Sequence, residues 1–175
     1  THYKAELRDR DIFRIETALI EGGDAPLIAH KLFNAETDEL CTAMLQQLTG
    51  IALSGDTVEW DGEEREERPV PADGPNWLAS QRSVVRPEEA DWTGHLALPG
   101  YIHRFSTANA FIIAAFGLTP EYMTKERVGL STFEFQLVFH KKRAVPGTLI
   151  DVDSCVAQLG GSSMRLYHRL RDGDT

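Results

Sequence analysis

Basic residues are scarce in this chain of 175 residues: 18 Lys and Arg stand against 27 Asp and Glu, for a formal net charge of −9. A nucleic-acid binder would show a basic face and a membrane-surface protein a polybasic cluster, so neither partner is expected. Cysteine is scarcer still. Cys41 and Cys155 are too few for a disulfide framework, form no Cys-x-x-Cys pair and each lie in an apolar stretch, so buried, reduced thiols are expected. No apolar run reaches the ~18 residues of a membrane span, and Thr1-His-Tyr-Lys-Ala-Glu lacks the basic and apolar regions of a signal peptide. A reduced, cytoplasmic setting follows as the expectation. Metal-binding patterns are missing as well: there is no His-Glu-x-x-His, no Cys/His cluster, and His95 and His103 are too far apart for a helical pair. Neither a Walker A nor a Gly-x-Gly-x-x-Gly loop is present, so no metal or cofactor is expected. Without a Gly-x-Ser-x-Gly elbow, serine-hydrolase chemistry is disfavoured.

What is present is ordinary globular material, with 42% apolar and 9% aromatic residues, enough for one domain or two small ones. The acidity is concentrated. Residues 55–74 hold eight acids and two bases, so this window carries −6 of the −9. With Pro69, Pro71 and Pro75 it reads as a solvated linker over 55–81, separating 1–54 from 82–175.

The two flanking parts resemble one another. Placing residues 2–37 on 140–175, a gapless offset of 138, matches His2 with His140, Lys4 with Lys142, Ile12 with Ile150 and Gly22-Gly23 with Gly160-Gly161. It further matches His30 with His168, Leu32 with Leu170 and Thr37 with Thr175. Each copy reads as strand, Gly-Gly turn, strand: 12–20 and 26–33 in the first, 149–157 and 164–170 in the second. A third segment, Leu40 to Leu48, follows in copy one, whereas copy two stops before its counterpart. A native chain of about 250–320 residues, or association that supplies the missing pieces, is therefore expected.

Between the linker and the second copy lies one long helix. Pro99-Gly100 opens it, Tyr101 to Phe116 form it and Gly117 closes it, the positions that suit proline and glycine at helix ends. Ile102, Phe105, Ala108, Ile112 and Ala115 follow the helical period, and Phe111, Ile113 and Phe116 widen the apolar surface, which predicts burial around most of the circumference. A strand at Ser83–Arg86 precedes it and another at Ser131–Phe139 follows. One helix against an antiparallel sheet is an α+β arrangement.

The most informative stretch is Asp91-Trp-Thr-Gly94-His95. An acid sits just before a helix whose first N–H groups have no internal partner, so a carboxylate and oxyanion-holding amides come together. Such a carboxylate can attack a carbonyl or activate water; the bland alternative is a surface turn that Asp91 merely caps. Asp-x-x-Gly-His ahead of a long helix, then an extended strand and an antiparallel pair turned at Gly-Gly, resembles the hotdog-fold acyl-CoA thioesterases of the 4-hydroxybenzoyl-CoA thioesterase type. The matching residues are Asp91, Gly94, His95, Tyr101, Phe105, Gly117-Leu118 and Pro146-Gly147. With the repeat, the chain resembles a tandem hotdog protein: a sheet wrapped around a long central helix, the first repeat incomplete (its second half at 1–54) and the second, 82–175, lacking its last strand.

The resemblance implies hydrolysis of an acyl-CoA to a carboxylic acid and CoA. It places the catalytic carboxylate on Asp91 and the oxyanion donors in the Gly94–Leu98 region. His95 takes an orienting role, and Thr107 positions water where family members carry Glu. Ala97 and Leu98 stand where the family often has Asn, and Ser106 and Thr107 where many members have that Glu. Leu98 and Tyr101 would line the acyl site, and the basic run His140-Lys141-Lys142-Arg143 would hold CoA phosphates; a solvated strand edge is its plainer explanation. His30 and His168 are expected to be structural. Association through the hotdog sheets would give a homo-oligomer. The other readings are an acyl-CoA hydratase or dehydratase of the same fold, a non-catalytic acyl-CoA binder, and an inactive half that completes a partner's sheet.

Overall fold

The computed structural model describes residues 1–21, 25–48, 50–62 and 67–173. The expected Gly22-Gly23 turn, part of the acidic window and Thr175 lie outside the described residues. The chain divides into two units, 1–67 with 130–138 and 68–129 with 139–173 of the described residues. The division falls inside the stretch read as linker, but that stretch is partly structured. It contributes a short strand to the first unit and the start of a strand to the second.

The first unit is a five-stranded sheet of β1 (His2–Tyr3), β2 (Phe13–Ile20), β3 (Leu27–Asn34), β4 (Leu40–Gln47) and β5 (Thr57–Val58), in the order β1-β4-β3-β2-β5. All neighbours are antiparallel except β5, which runs parallel to β2. Ile20, Ala29, Cys41 and Ala43 are buried, while Phe13 and Ile15 stay 56% exposed. The segment after the long helix, expected as a full strand over 131–139, makes only one bridge, Glu134 with His2. All of it but Phe139 lies in this unit, held by backbone bonds from Tyr3 to Phe133 and from Phe135 to Thr1.

The second unit is an antiparallel sheet β6-β7-β8 carrying α1, with β6 at Leu78–Val84, α1 at Leu98–Ala115, β7 at Leu149–Leu159 and β8 at Met164–Asp172. Strand β6 starts at Leu78, inside the stretch read as linker, rather than at Ser83. A second helix, α2 (Pro120–Glu126), was not foreseen although its signals are present. Thr119 caps it by accepting from the Tyr122 amide, Pro120 opens it, and Arg127 ends it in the left-handed region at φ 54°. The coarse expectation of an α+β protein with antiparallel sheets and a long helix is met.

Helix α1 is not buried around most of its circumference. Only one face is covered, by Tyr101, Arg104, Phe105, Ala108 and Ile112. Ile102, Phe111 and Phe116 remain 41%, 48% and 62% exposed. The covered stripe includes an arginine, which is why the apolar pattern alone misplaced it.

Arg104 is 5% exposed and uses every donor it has. Nε donates to Ser83 Oγ, Nη1 to Glu89 Oε1 and to the Gly100 carbonyl, and Nη2 to Val84 O and Glu89 Oε2. A buried guanidinium is tolerated only when its five N–H groups are met and its charge paired. Arg104 first, and then the Arg86 amide, hold the Glu89 carboxyl down at about 2 from its ordinary 4.5 against the opposing effect of burial.

The two hairpins place a histidine alike. In the first, Thr17 Oγ1 lies 2.8 Å from His30 Nδ1 on the directly opposite strand. In the second, Ser154 Oγ lies 2.6 Å from His168 Nδ1, again directly opposite. Counting protons fixes the second chain of bonds. Ser80 gives its only proton to Val152 O, so Ser154 must donate to Ser80, and His168 Nδ1–H must donate to Ser154. His168 stacks on Phe105 of α1, centroids 5.7 Å apart, and burial pushes its pKa from 6.5 to about 4. The gapless offset holds for the second strands but not throughout the first. The register of β7 against β8 shifts between Val156 and Gln158, so Ala157 is an extra residue. Before this bulge the structural offset is 137, which equates Thr17 with Ser154 and Phe13, rather than Ile12, with Ile150.

Two acid-labile groups follow, with separate pH windows. His168 binds fewer protons folded than unfolded, so its contribution is full above pH 6.5 and lost as pH falls to about 4. The contribution of Glu89 is full above 4.5 and lost as pH falls toward 2. Urea unfolding against pH should show both limbs; His168→Gln removes the upper and Glu89→Gln the lower. Arg104→Met, which strands Glu89, should cost about 3–5 kcal/mol in the same assay; a loss below ~1 kcal/mol would contradict the pairing.

Candidate functional site

The Asp91–His95 turn is built by its own backbone. Ala90 and Leu96 form an antiparallel bridge, the Asp91 amide donates to His95 O (2.8 Å) and the Gly94 amide to Asp91 O (2.9 Å). Gly94 has φ +76°, the left-handed geometry that glycine adopts without strain. The turn is anchored beneath by Leu96, which is fully buried and donates to Ala144 O, and by the Ala97 amide, which donates to Glu89 O. Its position at the start of α1 therefore depends on Glu89 and Arg104.

Side chains complete it. Asp91 Oδ1 accepts from the Thr93 amide (2.8 Å) and the Thr93 hydroxyl (2.5 Å), and Oδ2 accepts from Arg143 Nη1 (2.5 Å). Arg143 Nη2 donates to Thr93 Oγ1 at 2.9 Å, so one guanidinium grips both residues. The Thr93 hydroxyl spends its proton on Asp91 and can only accept from His95, whose Nδ1 lies 3.1 Å from Thr93 Oγ1 and 3.0 Å from Thr93 O. His95 therefore carries its proton on Nδ1 and leaves the Nε2 lone pair uncommitted. Thr93, then Arg143, hold the Asp91 carboxyl far below the usual carboxylate range.

These facts change the roles expected of the residues. Asp91 is ionised but engaged on both oxygens and weakly basic, a poor attacking group and a good orienting one. Of the amides in the Gly94–Leu98 region, Gly94, Leu96 and Ala97 are used internally, while those of His95 and Leu98 have no partner among the described residues. Thr107 is not brought to the turn. Its hydroxyl donates to His103 O one helical turn back, and nine residues of helix put it roughly 13 Å along the axis from Leu98. Tyr101 is not an open site residue either. It is 4% exposed, its hydroxyl accepts from the Ala144 amide, and its ring meets Phe139 edge-on at 5.0 Å. Leu98 is 44% exposed beside the turn. His140, Lys141 and Lys142 are exposed, and Arg143 is committed to Asp91 rather than free for a phosphate.

Sequence reasoning passed over Thr93, Glu89 and Arg104. Thr93 carries no motif; Arg104 had a legible signal, a charge at i+3 from Tyr101 and next to Phe105 on an otherwise apolar stripe. Among the described residues no group of His, Cys, Asp and Glu is placed to hold a metal, and no helix is long and apolar enough to cross a membrane. Cys41 and Cys155 are both buried and unbridged. No protein-family model, no curated protein and no solved structure matches the chain.

Two variants check this geometry. Arg143→Ala should move the Asp91 titration up toward its ordinary 3.8, read by carboxyl chemical shift against pH; an unmoved midpoint would mean that the pair does not form. Gly94→Ala forces a left-handed alanine, which should cost roughly 1–2 kcal/mol in urea unfolding.

Proposed function

We propose that the chain is an acyl-CoA thioesterase of the hotdog type, with His95 as general base. The carrying observation is the fixed turn before α1 in which Asp91 and Thr93 orient His95 and leave its Nε2 uncommitted. The order β6, α1, β7, β8, with the helix between the first strand and its sheet partner, supports the hotdog reading. The like-placed histidines of the two hairpins support the tandem one. In the reaction, Nε2 takes a proton from water, whose oxygen attacks the thioester carbonyl carbon. The carbonyl oxygen becomes an oxyanion, for which the His95 and Leu98 amides are the remaining donors. As the intermediate collapses, the C–S bond breaks and the CoA thiolate recovers the proton from imidazolium. The exposed apolar side chains Ile102 and Phe111 on α1 and Phe116 just past its end, which flank the covered face, support association into a homo-oligomer.

One observation favours a second reading. An Asp91 committed to Arg143 also suits an acyl-CoA binder with no turnover. Free-thiol release from a panel of acyl-CoA esters separates the two. His95→Gln should lower kcat by about 10²–10⁴, while Asp91→Asn, which loosens the turn without removing the base, should lose less. A His95→Gln protein as fast as the wild type would defeat the assignment.

A further inference from the structure

The returning strands of the two hairpins carry a cation at one repeated position. Lys31 of β3 directly follows His30 and stands opposite Glu16; Arg169 of β8 directly follows His168 and stands opposite Asp153. Alternation therefore puts each cation on the strand face away from its histidine. Each one holds an aspartate and a tryptophan from the stretch read as linker. Lys31 Nζ donates to Asp61 Oδ1 at 2.6 Å and lies 5.8 Å from the centre of the Trp60 ring. Arg169 Nη1 donates to Asp73 Oδ1 at 2.8 Å, and its guanidinium carbon lies 4.4 Å from the centre of the Trp77 ring. Both rings are set by their own segments. Trp77 Nε1 donates to Ala72 O at 3.0 Å, and the Trp60 ring folds onto Gly62 so closely that a Cβ there would overlap it. Each set of contacts lies within one unit.

We propose that this acidic stretch is a strap latched at each end by the same device, one cation shared between an aspartate and a tryptophan, and that each latch opens without its unit unfolding. The cation is what lets an acidic segment lie against an acidic strand pair: Arg169 also reaches Asp153, at 3.6 Å, and so stands between two carboxylates. The hold is modest. Asp61 and Asp73 are 72% and 81% exposed, so salt reaches both pairs. An exposed ion pair with a cation–π contact favours the closed segment by only about 3–30-fold, far less than global stability. Cys155 shares the face of the second latch. It is buried, directly opposite Tyr167, whose ring Trp77 meets edge-on at 5.7 Å. Opening would bring this thiol to solvent, so the strap is a salt-sensitive cover on the outer face of the β7–β8 hairpin. The inference does not rest on the reaction assigned to His95.

The test follows each latch at its own end in the intact protein. Cys155 is alkylated with iodoacetamide at rising sodium chloride and at rising sub-denaturing urea, and the labelled peptide is counted by mass spectrometry with Cys41 as reference. Salt should speed the labelling of Cys155 and leave Cys41 unchanged. Asp73→Asn, a substitution at an exposed position, should speed it by roughly two- to fivefold and remove the salt response. Arg169→Met, which takes away the pair and the ring contact together, should speed it further, and Arg169→Lys should restore most of the protection. At the first latch, cleavage at Glu59 by a glutamate-specific protease should be quickened by Asp61→Asn and by Gly62→Ala, whose methyl displaces the Trp60 ring, but not by Asp73→Asn. Labelling of Cys155 that shows the full urea dependence of unfolding would overturn the proposal, because the latch would then have no opening of its own. So would Asp73→Asn and Asp61→Asn proteins indistinguishable from the wild type at both ends.

Discussion

The pair between the buried Arg104 and the half-buried Glu89 is the constraint on which the second unit depends. One guanidinium draws together the end of β6, the turn at Glu89 and the first turn of α1 at Gly100. Removing one partner of these contacts is costly, because the acceptors are backbone carbonyls, a hydroxyl and a carboxylate that burial alone would penalise. The pair also reaches the candidate site through the backbone: Glu89 O receives the Ala97 amide, which sets where the Asp91–His95 turn meets the helix. Stability and site geometry are therefore coupled through this charge pair as well as through the apolar core, where Leu96 anchors the turn.

The site has a second, separate anchor. Arg143 arrives from the segment after the helices and grips Asp91 and Thr93, while Ala144 beside it exchanges bonds with Leu96 and Tyr101. The turn is thus held from the strand before α1 and from the segment before β7. That double hold keeps His95 in one tautomer, and it removes Asp91 from the pool of available bases. A carboxylate that is well placed and a carboxylate that is free are different things, and here the placement was obtained by giving up the freedom.

The strands of both hairpins and the position of α1 were legible because alternation, the Gly160-Gly161 pair and helix-end residues act locally. What was not legible was set by partners distant in the chain. Asp91 and Arg143 are separated by 52 residues, and nothing local to Asp91 announces that its charge is spent. The 131–139 segment alternates like a strand, yet pairing decides strandhood, and only Glu134 finds a bridge partner. Tyr101 and Arg104 were displaced from the expected helix face because an arginine counts as polar in a pattern until its five acceptors are known. Thr107 was put near the reaction centre by resemblance; helix pitch and its bond to His103 place it elsewhere.

The extra residue at Ala157 bears on how the two hairpins are to be treated as interchangeable modules. Aligned column by column, Thr17 answers to Cys155, a buried thiol opposite Tyr167; matched by contact, it answers to Ser154, the hydroxyl that meets the histidine. Moving one hairpin into the other's place would need an offset of 137 for the outgoing strand and 138 for the returning one. A graft cut at a single offset would set a thiol against His168 and turn every side chain before the bulge to the wrong face of the sheet.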